Sequence, residues 1–112
     1  MNAFRIAAVR DARETLVTKG WCQNSYETAS GAMCLFRALN AMLAPAWSPG
    51  RHGTVAHLAD YYIDRLVREA IAIRSGVCWG IRTWNDEPGR TVEDVLWVLD
   101  WVIERLETGD GR

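Results

Sequence analysis

Gly31 to Leu43 reads GAMCLFRALNAML, and this stretch decides the fold. Only Arg37 and Asn40 carry strongly polar side chains in it. A helix that is apolar nearly all round is buried, with other elements packed on several sides. The stretch is too short to cross a bilayer, which takes roughly 20 apolar residues. It is therefore expected to be the central helix, 31–43, of a small all-α domain of four main helices with ordered Trp-bearing loops, and Ser30 is its expected cap.

The flanking segments fit that expectation. Residues about 3–19 predict an amphipathic helix: Ile6, Val9, Ala12 and Leu16 share a stripe, Arg10, Asp11 and Glu14 face away, and Gly20 follows as the stop. Residues 20–30, GWCQNSYETAS, lose the helical period and gain turn formers, so a loop is expected, with an extended piece at Trp21–Gln23. Residues 44–53, APAWSPGRHG, predict a second loop anchored by Trp47. Thr54 is expected to cap a long helix over 55–74. Its apolar stripe contains Val55, Leu58, Ala59, Tyr62, Ile63, Leu66, Ala70 and Ile73, with His57, Asp60, Tyr61, Asp64 and Arg68 opposite. Residues 77–90 are irregular, with one short turn of helix or strand around 81–84. Thr91 then caps a final helix over 92–107, with Glu93 and Asp94 favouring its positive end. The tail ETGDGR is expected to fray.

The final helix has two apolar faces. With Leu99 at zero and steps of about 100°, Val92, Val95, Leu96, Val102, Ile103 and Leu106 fall within about 60° of it. Trp97 and Trp101 fall about 160° away, between Asp94 and Glu104. Two tryptophans one turn apart on an outer face predict a second buried surface, in a homodimer or against a protein partner. The plainer alternative is that another segment, such as the Trp47 loop or the N-terminus, covers them.

The 112 residues suit one domain, 1–112, and 49% hydrophobic residues are enough for a core. Lys and Arg number 13 against 14 Asp and Glu, so the net charge of −1 exerts no broad pull on nucleic acid or anionic membranes. Arg5, Arg10, Arg13, Arg65, Arg68 and Arg74 are interspersed with acids and form no nucleic-acid-binding motif. Three cysteines, Cys22, Cys34 and Cys78, make no disulfide framework, and the N-terminus has no signal-peptide core, so a cytoplasmic chain is expected.

Two clusters stand out among the polar and aromatic residues. One is Gly20-Trp21-Cys22-Gln23; the other is Trp84-Asn85-Asp86-Glu87-Pro88-Gly89-Arg90-Thr91. The structural reading has Asn85 or Asp86 bonding turn backbone, Pro88-Gly89 making the turn, and Trp84 pinning the loop to the core. The functional reading is a pocket in which Trp21, Cys22, Gln23, Trp84, Asn85, Asp86 and Arg90 converge on a small ligand or a peptide carboxylate. A nucleophilic Cys22 would need His52 or His57 within reach, and neither sits in a catalytic motif. A zinc site from Cys22, Cys34, Cys78 and a histidine lacks paired ligand spacing. No catalytic residue, metal or cofactor is therefore assigned.

Both clusters, with the small-residue stretch Gly31–Leu39 between them, resemble an uncharacterised family of small proteins from actinobacteria and their phages. That resemblance implies a fold type and an origin, and no reaction. The chain differs from the family in a shorter stretch between Gln23 and Gly31 and in its own version of 44–53. The combined reading is a non-enzymatic interaction or regulatory protein, with a ligand binder or small enzyme as the alternative.

Overall fold

The computed structural model describes residues 2–44, 58–77 and 80–109. The Trp47 loop, the Thr54 cap, His52, His57, Cys78, Trp79 and the last three residues lie outside them. Among the described residues the protein is all-α, as the sequence predicts.

Helix α1 spans Asn2–Thr18 and buries Ala8, Val9, Ala12 and Leu16. Gly20 follows with φ +104°, in the left-handed region that a side chain disfavours. Residues 20–34 then form short extended pieces. Trp21 makes a parallel bridge with Met33, and Glu27 an antiparallel one with the same residue. The central helix consequently starts later than expected: α2 spans Leu35–Leu43, and 31–34 are not helical. Met33 explains the shift, because its N–H donates to Gly20 O and its carbonyl accepts from Cys22 N, both at 3.0 Å. Those groups are unavailable to a helix. Cys34 replaces Ser30 as the cap, its sulfur accepting from Arg37 N at 3.4 Å. The Ser30 hydroxyl pairs with Thr28 Oγ1 instead. The burial expectation holds for part of the helix: Leu35, Phe36, Ala38, Leu39 and Asn40 are fully enclosed, while Arg37, Ala41, Met42 and Leu43 are half-buried.

Helix α3 spans Tyr61–Ser75, shorter than 55–74. Asp60 caps it, accepting from Tyr62 N at 3.0 Å and Ile63 N at 3.2 Å. Leu58 and Ala59 precede the helix because their N–H groups bond side chains, Asp64 Oδ1 at 2.8 Å and Asn40 Oδ1 at 3.0 Å. The buried face is also rotated from the expected stripe. Asp64 is buried and Ile73 is 60% exposed. Asp64 is drawn inward by Leu58 N and by Arg68 Nε at 2.7 Å, an ion pair one turn along. At Asp60, burial works to raise the carboxyl, but the Arg5 side chain and the cap hydrogen bonds outweigh it and hold the acid below its ordinary range.

Helix α4, Ile81–Asn85, is the short turn expected near 81–84, and α5 spans Val92–Glu107 with Thr91 as its cap. Thr91 Oγ1 accepts from Asp94 N at 3.2 Å, and Asp94 Oδ2 accepts from Thr91 N at 3.1 Å, a reciprocal capping box. Thr91→Ala should lower stability by about 1 kcal/mol. Urea unfolding measures it, and an unchanged midpoint would mean the box contributes nothing.

The helices close a ring: α2 packs on α1, α1 on α5, α5 on α3, α3 on α4, and α4 back on α2. The core inside this ring includes Phe36, Leu39, Leu58, Ile63, Trp84, Val98 and Leu99. Val98 is fully buried while Leu96 is only half-buried, so α5 is rotated from the expected wheel toward Val98. No helix among the described residues is long and apolar enough to cross a membrane.

Candidate functional site

The two polar and aromatic clusters, about sixty residues apart in sequence, meet at Asn85. This side chain is fully buried at the end of α4. Its Oδ1 accepts from Trp21 Nε1 at 2.6 Å and from Leu35 N at 3.0 Å. Its Nδ2 donates to Cys22 O at 3.1 Å and to Asp86 Oδ1 at 2.9 Å. Two donors and two acceptor contacts account for the amide's main capacity. The neighbours extend the clasp. Gln23 Nε2 donates to Asn85 O at 3.0 Å and Glu87 O at 2.9 Å, and Asp86 Oδ1 accepts from Asn24 N at 2.8 Å. Asn24 adopts φ +63°, which Asn tolerates better than most residues.

Trp84 and Arg90 complete the cluster. Trp84 is fully buried, and its Nε1 donates to Ser75 Oγ at 2.5 Å. The Arg90 guanidinium lies 4.1 Å from the centre of the Trp84 ring, while its Nε donates to Trp84 O at 2.9 Å. Trp21, Cys22, Gln23, Trp84, Asn85, Asp86 and Arg90 are thus brought together, with their polar atoms engaged largely on one another and on backbone. The arrangement joins the 20–35 segment to the end of α4 and the turn after it.

Beside the clasp lies a hollow of about 190 Å³ that the sequence did not single out. Ser25, Tyr26, Cys34, Arg82 and Asp86 line it. Arg82 donates to Tyr26 Oη at 2.5 Å and stacks 4.8 Å from the Phe36 ring centre. No local pattern marks Arg82, because its partners come from the opposite segment. A larger groove of about 470 Å³ runs between the end of α1 and the start of α5, lined by Leu16, Val17, Gly20, Trp21, Val92 and Leu96.

Cys22 is half-buried and donates weakly to Ser25 O at 3.4 Å and Ala32 O at 3.6 Å. Burial, then the carboxylates of Asp86 and Glu27, push its thiol above the ordinary range. A catalytic thiolate needs the opposite environment. The histidines considered as its partners lie outside the described residues. Among the described residues no three His, Cys, Asp or Glu side chains group as a metal site.

The expected interface residues sit on one side of α5. Trp97 and Trp101 are half-buried rather than fully in water. The Arg74 guanidinium lies 5.2 Å from the Trp97 ring centre, and that of Arg105 lies 4.5 Å from the Trp101 centre. Asp100 and Glu104 join the two rings around a shallow hollow of about 160 Å³. Asp100 also pairs with Arg13 of α1 at 2.6 Å. Asp94 is drawn into the capping box and an ion pair with Arg74 at 3.1 Å. Burial tends to raise its carboxyl, but the Thr91 and Arg74 hydrogen bonds prevail and lower it.

The ring of helices and its amide-centred clasp define a small protein, all-helical among the described residues, whose 20–34 loop is locked to α4 and the turn that follows it. The chain belongs to DUF6197, a family of unknown function, whose model matches residues 5–105. No curated protein and no solved structure matches it.

Proposed function

We propose that this chain is a non-enzymatic interaction protein, a cytoplasmic accessory of an actinobacterium or its phage, that self-associates through the outer side of α5. One observation carries the reading. Trp97 and Trp101 stand one turn apart with part of each ring uncovered, under two guanidinium groups and flanked by two carboxylates. Trp and Arg are the residue types that dominate binding energy in interfaces. The mixed charge, Asp100 and Glu104 beside Arg74 and Arg105, suits a second copy of the same surface, since a self-complementary patch carries both signs. A net charge of −1 opposes such pairing little.

The ligand-binding alternative draws on the hollow at Arg82 and Asp86. It is the less favoured reading, because the polar atoms of the 21–23 and 84–90 segments are largely bonded to one another.

Light scattering across a concentration range tests self-association. The wild type should be a dimer. The double variant Trp97→Glu, Trp101→Glu should be a folded monomer, with dimer affinity reduced at least about 100-fold, as expected for losing two hot-spot side chains. A wild-type monomer at all concentrations, or a double variant that unfolds without dissociating first, would overturn the reading.

A further inference from the structure

Cys22 and Cys34 occupy neighbouring positions in register. Met33 N donates to Gly20 O and Cys22 N donates to Met33 O, which makes Trp21 and Met33 a parallel bridge pair. Cys22 and Cys34 are the next residues along these two segments, each one position beyond the bridged pair. Neighbouring extended segments lie about 4.7–4.9 Å apart, and opposite residues project to the same face. A disulfide spans about 4.4–6.8 Å between Cα atoms. The register therefore brings the two residues near each other, and both are free thiols. Cys22 is half-buried, and Cys34, 3% exposed, lines the hollow with Ser25 and Asp86.

We propose that hydrogen peroxide closes Cys22 and Cys34 into an intramolecular disulfide. The more exposed Cys22 sulfur attacks one peroxide oxygen, the O–O bond breaks, and water leaves with the thiol proton. The product is a sulfenic acid on Cys22. The Cys34 sulfur then displaces that hydroxyl, which leaves as a second water with the Cys34 proton. Two thiols are oxidised and one peroxide is reduced to two waters. Transient disulfides of this kind are the form in which a cytoplasmic chain uses them.

The surroundings set the pace. Burial pushes the Cys34 thiol up to about 11, and the nearby Cys22 adds to it. Both sulfurs are thus held protonated, so the reaction is slow at neutral pH. Its structural effect falls on the clasp. Cys34 sulfur caps α2, and Cys22 carbonyl accepts from Asn85. The bond would tie these two points of the fold together.

The test uses the full wild-type chain, folded, treated with hydrogen peroxide, then iodoacetamide and trypsin. The fragment Gly20–Arg37 carries both sulfurs, whereas Cys78 falls on the separate fragment Ser75–Arg82. The expected product is the first fragment about 2 Da below its dithiol mass, refusing alkylation until dithiothreitol is added. Cys34→Ser should abolish the 2 Da loss and leave Cys22 open to a sulfenic-acid probe. Recovery of the wild-type fragment doubly alkylated, oxygenated on its cysteines, or joined to the Cys78 fragment would overturn the proposal.

Discussion

Asn85→Ala is expected to destabilise the protein by about 3–5 kcal/mol, a large part of the roughly 5–15 kcal/mol that holds a domain of this kind together. The amide is fully buried and holds four partners. Alanine leaves Leu35 N, Trp21 Nε1 and Cys22 O without their partner, each at a cost of about 1–3 kcal/mol where water cannot replace it. Leu35 N lies in the buried interior, so its loss is the most severe. Asn85→Asp should be no milder. It keeps the two acceptor contacts, but it turns a donor toward Cys22 O and Asp86 Oδ1 into a second carboxylate oxygen. Urea unfolding followed by circular dichroism measures both. A loss under about 1 kcal/mol for Asn85→Ala would show that the clasp is replaceable by water.

Trp84→Ala should cost about 3–5 kcal/mol, the range for emptying a large aromatic site in a core. The ring is fully enclosed, Arg90 stacks on it, and Ser75 accepts its N–H. Trp84→Phe separates these contributions. It keeps most of the packing and loses the Ser75 bond, so a smaller cost of about 1–3 kcal/mol is expected. Thermal and urea unfolding of the pair read the difference. Equal losses for Ala and Phe would assign the residue's worth to the indole N–H, and a negligible loss for both would remove Trp84 as the anchor of this segment.

The legible parts of the chain are those whose signals are local. Helix α1 was readable from its stripe and Gly20, and α5 from its period and the Thr91–Asp94 box, whose partners lie three residues apart. The functional reading brings the 21–23 and 84–90 segments together as a ligand pocket, and the structural reading confines 84–91 to its own turn chemistry. Neither reading placed Asn85 at the centre, because the bonds that give it that role reach 50 to 64 residues along the chain.

The misplaced boundaries share one cause. Residues 31–34 are apolar enough for a helix, but Met33 backbone is bonded to Gly20 and Cys22. Residues 58–60 fit a helical stripe, but Leu58 and Ala59 N–H groups are held by Asp64 and Asn40 side chains. The position of Trp97 and Trp101 on α5 is visible on a helical wheel, while the guanidinium over Trp97 comes from α3.

The sequence by itself determined the helical class, the extents of the first and last helices, and the side of α5 that bears the tryptophans. These rest on period and capping, which a chain satisfies within a turn or two. Only the tertiary structure decided where α2 and α3 begin, that Asp64 and Asn85 are interior, and that the segments carrying Cys22 and Cys34 pair at Trp21 and Met33. Each depends on a backbone or amide group finding a partner outside its own helix, and a buried polar group must take the partner that folding brings to it.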